Sequence, residues 1–233
     1  NISNHEQFVF GDLDTGFGDA DLVFEREFRT KSVHQGYIEP QNATAWWSPN
    51  GRLTIWCSSQ GHFGIRDNTA RILGVPVDEI KVVPMEIGGG FGGKLQQTPE
   101  EMIAFAVARR LGRPVKFTET RSESLMTAHH GRDQWQKLTL AAEKDGTVTG
   151  LKVELLADLG AYVAIVGGGV PVLGAFMFNS IYKFPSYRFD CQTVLTNKTW
   201  TDAYRGAGRP EATFAIERLM DELAAELGED PIE

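Results

Sequence analysis

The glycine-rich segment Gly88–Lys94 has the composition of an anion-binding loop. It reads Gly-Gly-Gly-Phe-Gly-Gly-Lys, so five glycines surround one aromatic residue and are followed by one lysine. Glycine adopts φ > 0 without steric penalty and allows close approach of the backbone. Successive N–H groups in such turns form a concave anion site. The segment therefore predicts a main-chain site for a cofactor with phosphate or oxo groups. A flexible surface loop is the alternative, which the patterned flanking segments disfavour.

The same segment matches most of the nucleotide-binding pattern G-x-x-x-x-G-K, through Gly88, Gly93 and Lys94. A Ser or Thr is needed after the lysine to hold Mg²⁺, and this chain has Leu95 instead. The following helix is predicted to begin only near Thr98, too late for the loop to cap it. No helix follows soon enough for a dinucleotide fingerprint either. A nucleotide- or phosphate-binding module is therefore the weaker hypothesis.

Two further polar residues lie in loops that follow predicted strands. Gln60 lies in a polar elbow, and Arg205 lies in the sequence Ala-Tyr-Arg-Gly-Ala-Gly-Arg. With the loop around Phe91 they offer neutral or positive donors, a set that binds a bare metal ion poorly. It suits a preassembled anionic cofactor, because N–H and guanidinium groups bind oxo and phosphate oxygens. Glu39 and Glu86 are possible acid–base groups, although single carboxylates are usually solvated or ion-paired.

The composition limits the class of protein. The 233 residues are 42% hydrophobic and 23% charged, with a net charge of −8, which argues against nucleic acid as a partner. Cys57 and Cys191 are far apart in the sequence and predict buried free thiols in a reducing, cytoplasmic compartment. No apolar run is long enough to span a bilayer. The adjacent histidines 129 and 130 are interpreted as structural. Both ends of the chain are expected to be cuts within a longer protein.

Strands and helices are mixed along the chain, and hairpins outnumber βαβ units, so the predicted fold class is α+β. Residues 1–21 are interpreted as an acidic linker or arm, and residues 22–233 as part of one domain. Strands are predicted at 22–30, 43–47, 52–56, 79–85, 115–118, 134–142, 147–157 and 187–195. Helices are predicted to end at Leu73, Leu111 and Leu227, each followed by glycine.

Three motifs in this order resemble the molybdenum hydroxylase (xanthine dehydrogenase/aldehyde oxidase) family. They are Ser59-Gln60, then Gly-Gly-Gly-Phe-Gly-Gly-Lys at 88–94, then Ala-Tyr-Arg-Gly-Ala-Gly-Arg at 203–209. The similarity runs from about Leu22 to the end of the chain. The last motif is similar to the carbon-monoxide-dehydrogenase-like subfamily called form II. The chain is identified as a fragment of the molybdopterin-binding large subunit.

The resemblance implies a molybdenum centre held through a pyranopterin dithiolene, expected as a dinucleotide, with no side chain bonded to the metal. Gln60 would hydrogen-bond an oxo ligand of the molybdenum. Gly90, Phe91 and Gly92 would bind the cofactor through their backbone at its oxo/sulfido end, and the backbone of Arg205 would close the other side. The implied reaction is hydroxylation of a carbon centre with water as the oxygen source.

The implied substrate pocket departs from purine-oxidising relatives at three positions. Leu95 replaces a glutamate, Leu173 lies where an arginine binds the substrate, and Ala207 replaces a phenylalanine that stacks on its ring. Gly206 stands roughly where carbon monoxide dehydrogenases carry a cysteine. An aldehyde or an N-heteroaromatic compound is therefore the expected substrate.

The resemblance also implies partners: a small iron–sulfur subunit and a medium FAD subunit that receive the electrons, in a dimer of heterotrimers. The general-base glutamate of the family is expected beyond the C-terminus, so no catalytic residue is assigned within the chain. The fragment is accordingly predicted to be inactive alone. A piece that serves only subunit assembly is the remaining alternative.

Overall fold

The structure is a computed structural model that describes residues 1–179 and 181–232. It contains nine strands and seven α-helices within those residues, so the predicted α+β class is confirmed. The strands are β1 (Ile2–Phe10), β2 (Leu22–Thr30), β3 (Asn42–Trp47), β4 (Leu53–Cys57), β5 (Ile80–Pro84), β6 (Val115–Thr118), β7 (Gln134–Ala142), β8 (Val148–Asp158) and β9 (Tyr187–Val194). The helices are α1 (Leu13–Gly18), α2 (His62–Leu73), α3 (Pro99–Leu111), α4 (Arg121–Thr127), α5 (Val170–Leu173), α6 (Ala175–Phe178) and α7 (Arg209–Leu227).

The chain forms two compact units. The discontinuous unit comprises Asn1–Val33 and His130–Glu233, and the inserted unit comprises His34–His129. Each unit has its own sheet and its own apolar core. The domain boundary predicted after residue 21 coincides with neither division, because residues 1–33 all belong to the discontinuous unit.

The discontinuous unit is built on a five-stranded sheet in the order β1-β9-β8-β7-β2. The predicted β7–β8 hairpin is antiparallel, and β9 lies parallel to β8 on its other side. Alternate residues of the hairpin are fully buried, among them Leu138, Leu140, Leu151 and Val153. The apolar stripe of α7 belongs to the same core, as its helical spacing predicts. This core supports the loop that enters α7.

Residues 1–21 are not an arm, which corrects the interpretation of their polar composition. Strand β1 pairs antiparallel with β9, with Phe8 opposite Phe189, and Asp12 caps α1 through the N–H of Asp14. Every residue of β1 except Glu6 is exposed. An edge strand exposed on both faces has no apolar–polar alternation, and this alternation is the signal that identifies a strand in sequence.

The inserted unit is built on a four-stranded sheet in the order β5-β4-β3-β6. The predicted β3–β4 hairpin is antiparallel, and β5 lies parallel to β4. Helices α2 and α3 contribute Ile65 and Phe105 to its core, and both helices end at a left-handed glycine, as predicted. The predicted capping box of Thr98 and Glu101 opens α3. These elements place the glycine-rich segment after β5.

Three short helices were not predicted. Helix α4 is preceded by a capping box of Thr120 and Glu123, a signal that identifies it in retrospect. Helices α5 and α6 lie within and after the Gly/Val-rich residues 167–174. Each has four residues, too few to show helical periodicity. Within the described residues, no helix has both the length and the apolar character needed to cross a bilayer.

Candidate functional site

The segment Gly88–Lys94, here called the glycine loop, follows β5 and has a left-handed backbone. Gly89, Phe91 and Gly92 have φ values of 98°, 53° and 104°. A left-handed conformation costs a non-glycine residue roughly 1–2 kcal/mol, so the surroundings must impose it on Phe91. Such outliers concentrate at ligand-binding and catalytic sites. The loop is therefore a candidate binding element in the inserted unit.

Gln60 is bonded to the glycine loop through three hydrogen bonds. Its Oε1 accepts the N–H groups of Gly92 at 2.9 Å and Lys94 at 3.2 Å, and its own N–H donates to the Lys94 carbonyl at 2.8 Å. Only an amide oxygen can accept from two N–H groups, so Nε2 must point away from the loop. Gln60 is exposed and therefore presents a donor outward. The N–H of Gly92 is already used inside the loop.

The segment Tyr37–Gln41, here called the scaffold segment, supports the loop with alternate side chains. Glu39 Oε2 accepts the Gly88 N–H at 2.7 Å, and Gln41 Nε2 donates to the Gly93 carbonyl at 2.9 Å. The ring of Tyr37 lies beneath Lys94, whose Nζ is 5.1 Å from the ring centroid. The scaffold segment thus contacts the loop near both of its ends.

The lysine of the glycine loop is a structural group. The Lys94 side chain is 0% exposed, and its Nζ donates to Glu39 at 2.8 Å and to Ser58 Oγ at 2.7 Å. It therefore cannot reach a nucleotide phosphate, and the hypothesis of a nucleotide-binding loop is wrong.

The environment of Glu39 lowers its carboxyl pKa and does not suit a general base. Its burial alone would raise the carboxyl pKa, but the hydrogen bonds from Lys94, Ser58 and Gly88 outweigh that and lower the pKa to about 2. The carboxylate is therefore ionised and fully engaged at neutral pH, and Glu39 is excluded as an acid–base group. Glu86, the other candidate, is exposed.

The glycines of the loop are needed for its contacts with its own supports. A Cβ at Gly88 would lie 2.4 Å from Glu39 Cβ, at Gly90 it would lie 2.4 Å from Gln60 Oε1, and at Gly93 it would lie 2.6 Å from Tyr37 Cε1. Sequence reasoning attributed the glycines to contact with a cofactor alone. The structure shows that these glycines are also required for close packing of the loop against Glu39, Gln60 and Tyr37.

The glycine loop has unused donors of the kind that an anionic group requires, on the half-buried Gly89 and the buried Gly90. Within the described part of the chain, the N–H groups of Gly89 and Gly90 have no acceptor. Gln60 adds its amide Nε2. Phe91 and Leu95 are 41% and 37% exposed and provide apolar surface beside these donors. Neutral donors next to apolar surface fit a preassembled anionic cofactor such as the oxo end of a molybdenum centre.

A second loop of the same kind lies in the discontinuous unit. Arg205–Gly208, here called the arginine loop, has φ values of 103°, 47° and 86° at its last three residues. A Cβ at Gly208 would lie 1.9 Å from the carbonyl oxygen of Val170, the first residue of α5. The helix that ends at Leu173 therefore packs on the loop that contains Ala207.

The predicted site residues fall into two groups. Gln60, Gly90, Phe91, Gly92 and Leu95 come together at the glycine loop. The other three, Arg205, Ala207 and Leu173, lie on or next to the arginine loop. Each group belongs to one unit and is described by itself.

The supports of the two loops were missed in the sequence. Tyr37 and Gln41 escaped attention because their segment forms no strand, although its alternate positions carry the contacting side chains. Arg132, which contacts the arginine loop, and its partner Glu211 are ordinary charged residues in sequence. Their pairing joins residues 79 positions apart and depends on the fold.

Other candidate ligands have structural environments. Cys57 and Cys191 are free and buried, as predicted, and burial raises the pKa of each thiol to about 12. His130 Nδ1 is 3.0 Å from Ser32 Oγ, and burial lowers the pKa of this imidazole. Among the described residues, no group of three or more His, Cys, Asp or Glu side chains is placed to hold a metal ion.

The chain matches the family model of the molybdopterin cofactor-binding domain over residues 1–233. It is 35% identical over 225 residues to subunit gamma of the 6-hydroxypseudooxynicotine dehydrogenase complex of Paenarthrobacter nicotinovorans, covering 94% of this chain and 28% of that subunit. It is 31% identical to the nicotinate dehydrogenase large molybdopterin subunit of Eubacterium barkeri, covering 100% of this chain and 54% of that subunit.

Solved structures agree with these relatives. The aldehyde oxidoreductase from Desulfovibrio gigas superposes with a TM-score of 0.91 at 31% identity, over 99% of this chain and 25% of that chain. Carbon monoxide dehydrogenase from Oligotropha carboxidovorans superposes with a TM-score of 0.83 at 32% identity, over 98% of this chain and 29% of that chain. The chain thus spans only about a quarter to a half of the length of these relatives. It belongs to the molybdopterin cofactor-binding domain family of the molybdenum hydroxylases and dehydrogenases.

Proposed function

We propose that this chain contributes cofactor contacts to the large subunit of an oxidoreductase that hydroxylates an aldehyde or an N-heteroaromatic carbon. One observation carries the proposal: the glycine loop holds a non-glycine residue, Phe91, in the left-handed region beside backbone donors that have no acceptor among the described residues. Backbone strain of this kind is maintained where a binding geometry requires it.

Gln60, Gly90 and Phe91 would hold the cofactor from the inserted unit. The Gln60 amide donates through Nε2, since its oxygen is engaged by the loop. Gly90 offers its backbone N–H. Gly92 contributes through its conformation, because its N–H is bonded to Gln60. By resemblance, the backbone of Arg205 is a separate contact from the discontinuous unit.

The bound molybdenum cofactor, in its dinucleotide form, would supply the redox chemistry that introduces an oxygen atom from water into a C–H bond. The protein's own contribution is rigid placement. Donors fixed before the ligand binds need no reorganisation during the reaction, which makes them effective in a site that excludes water. The general base is proposed to lie in a part of the subunit outside this chain.

The substrate proposal rests on three apolar side chains. Leu95, Leu173 and Ala207 offer no charge to a purine, and Leu95 is 37% exposed beside the donors of the glycine loop. Uncharged side chains at these three positions favour an aldehyde or an N-heteroaromatic ring, whose faces are apolar. The names of two relatives, nicotinate dehydrogenase and quinoline 2-oxidoreductase, are consistent with the second class.

We propose that electrons leave through a small iron–sulfur subunit and a medium FAD subunit, assembled as a dimer of heterotrimers. A relative that belongs to a dehydrogenase complex supports a multisubunit enzyme. Two buried unpaired thiols fit a reducing compartment, and we place the enzyme in the cytoplasm.

The test is to purify the full-length subunit with its partners and to measure molybdenum. We expect about one molybdenum per large subunit, and reduction of an artificial electron acceptor with an aldehyde or an N-heteroaromatic compound but not with xanthine. Absence of molybdenum from the intact assembly would refute the proposal. Turnover of xanthine would refute the substrate class alone.

A further inference from the structure

Arg132 joins the arginine loop to helix α7. Its Nη1 donates to Glu211 Oε2 at 2.8 Å, and its Nη2 donates to the Arg205 carbonyl oxygen at 3.0 Å. The guanidinium also lies over the ring of Tyr204, 4.4 Å from the centroid. The side chains of Arg132 and Glu211 are 15% and 1% exposed. This is therefore a buried ion pair with a second contact to the loop backbone.

The backbone at Arg132 is itself strained. Arg132 and Asp133 have φ values of 73° and 62°, and the other non-glycine residues at positive φ in the described part of the chain are Phe91 and Ala207. Phe91 and Ala207 each lie in one of the two candidate loops. A conformation of this kind costs of order 1–3 kcal/mol and persists only where the structure imposes it. We therefore connect the strained backbone at Arg132 with the arginine loop, which the Arg132 side chain contacts.

The preceding residues fix this conformation from two sides. Gly131 exchanges hydrogen bonds with Val33, at 2.8 and 3.1 Å. The His130 N–H donates to the Trp200 carbonyl at 3.0 Å, and its carbonyl accepts the Asp202 N–H at 2.8 Å. The backbone that leads into Arg132 is therefore held by residues outside the arginine loop.

The ion pair is a poor choice for stability alone. Glu211 Oε1 is buried and has no hydrogen-bond partner among the described residues. Apolar residues of similar volume often stabilise a buried site as well as, or better than, an ion pair. An unpaired buried oxygen also lowers the net gain from hydrogen bonding. The arrangement is better explained by what Arg132 does to the Arg205 carbonyl.

The Arg205 carbonyl and the Gly206 N–H belong to the same peptide group. In a trans peptide the C=O of one residue and the N–H of the next point in opposite directions, and no cis peptide occurs in the described chain. By holding the Arg205 carbonyl, Arg132 directs the Gly206 N–H the other way. This N–H has no acceptor within the residues that the structure describes.

We infer that Arg132 and Glu211 are positioning residues that orient the Arg205–Gly206 peptide and so present the Gly206 N–H to an anionic ligand. The orientation of this peptide group is argued only from residues of this chain. Its use for the molybdenum cofactor rests on the function proposed above.

Arg132→Lys in the full-length subunit assembled with its partners tests the inference. Lysine retains a charge for Glu211, but it lacks the planar fork that donates to two acceptors at once. With that hydrogen bond lost, the arginine loop should open more often. Exchange of the Ala207 N–H, which is bonded to the Tyr204 carbonyl oxygen at 2.7 Å, should therefore rise about tenfold, and the molybdenum content per subunit should fall. Glu211→Gln should raise exchange at the same amide to a smaller extent, because an amide oxygen can still accept from Arg132.

Arg26→Lys is the matched control, since Arg26 also joins the sheet to α7 through Glu222 and Glu226 but contacts neither loop. It should leave exchange of the Ala207 N–H unchanged. Unchanged exchange in Arg132→Lys, or an increase spread evenly over β7 and α7, would overturn the positioning role. If the parent assembly holds no molybdenum, the proposed function fails, while the exchange comparison still decides the role of Arg132.

Discussion

At the scale of single residues, the pairing of Lys94 with Glu39 organises the glycine loop. The ammonium is wholly buried and touches the carboxylate, the Ser58 hydroxyl and the face of Tyr37. Removal of one partner from a buried pair leaves an uncompensated buried charge. The resulting loss of stability is larger than the net stabilisation that the intact pair provides. The loop conformation therefore depends on both groups.

We expect Glu39→Gln to lower the free energy of unfolding by roughly 2–3 kcal/mol at pH 7, because Lys94 loses its anionic partner in a buried site. The folded pKa of Glu39, about 2, lies below the value of 4.5 that is usual for a glutamate in an unfolded chain. Its contribution is therefore present above pH 4.5 and is lost as the pH falls towards 2. Urea unfolding of the full-length subunit at pH 7 and at pH 3 measures both effects.

Asp67→Asn is the control in the same unit, since the Arg66–Asp67 pair is exposed and should contribute less than about 1 kcal/mol. Equal losses for the two variants, or a Glu39→Gln variant with the parent's decrease in stability at acid pH, would contradict the expectation.

At the scale of elements, the capping box of α3 contains a buried acid. The Thr98 N–H and hydroxyl both donate to Glu101, whose residue is 1% exposed. Burial raises the pKa of this carboxyl to about 7, and the hydrogen bonds from Thr98 offset only part of that rise. The folded state therefore holds this proton more tightly than the unfolded chain.

For a raised pKa, the stabilisation is complete below the unfolded value of 4.5 and is lost as the pH rises through about 7. Glu101→Gln keeps a side chain suited to a capping box but cannot ionise. We expect the urea midpoint of the parent, relative to that of the variant, to fall between pH 5 and pH 8.

Glu123→Gln serves as the comparison, since Glu123 occupies the equivalent position in the first turn of α4 and its pKa is lowered by the hydrogen bonds that it accepts from Thr120. It should not remove the decline between pH 5 and pH 8. Parallel pH profiles for the parent and Glu101→Gln would show that Glu101 does not titrate in this range.

At the scale of the whole molecule, each unit contains a candidate loop with a left-handed backbone that is supported by an ion pair. Lys94–Glu39 supports the glycine loop of the inserted unit, and Arg132–Glu211 supports the arginine loop of the discontinuous unit. The two supports arise from unrelated elements. A common arrangement in separate units indicates that both loop conformations matter to the protein's function.

We therefore expect a substitution in either loop to reduce molybdenum in the purified assembly severalfold. Gly90→Ala places a methyl group 2.4 Å from Gln60 Oε1, and Gly208→Ala places one 1.9 Å from the Val170 carbonyl oxygen at a φ that alanine disfavours. Gly64→Ala is the control, because its Cβ meets nothing within 4 Å and alanine favours helix α2. Metal analysis of the three variants checks this, and parent-like molybdenum in both loop variants would refute it.

Much of the fold could be predicted from patterns of residues that are close in the sequence. The β3–β4 and β7–β8 hairpins, the glycine-ended helices α2 and α3 and the stripe of α7 are all determined by residues close in sequence. Strand β1 did not follow, because its partner β9 lies almost the whole chain away and its exposed faces leave no pattern. The division into two units also depends on which distant segments pack together.

The family and the two loops could be predicted from the sequence, because glycine spacing reflects local backbone sterics and the order of the motifs is visible along the chain. Only the tertiary structure decided the role of Lys94, the direction of the Gln60 amide and the support of the arginine loop by Arg132. The physical reason is the same in each case. A charge or an amide can bind a ligand or its own protein, and its burial and its partners, which only folding creates, decide between the two.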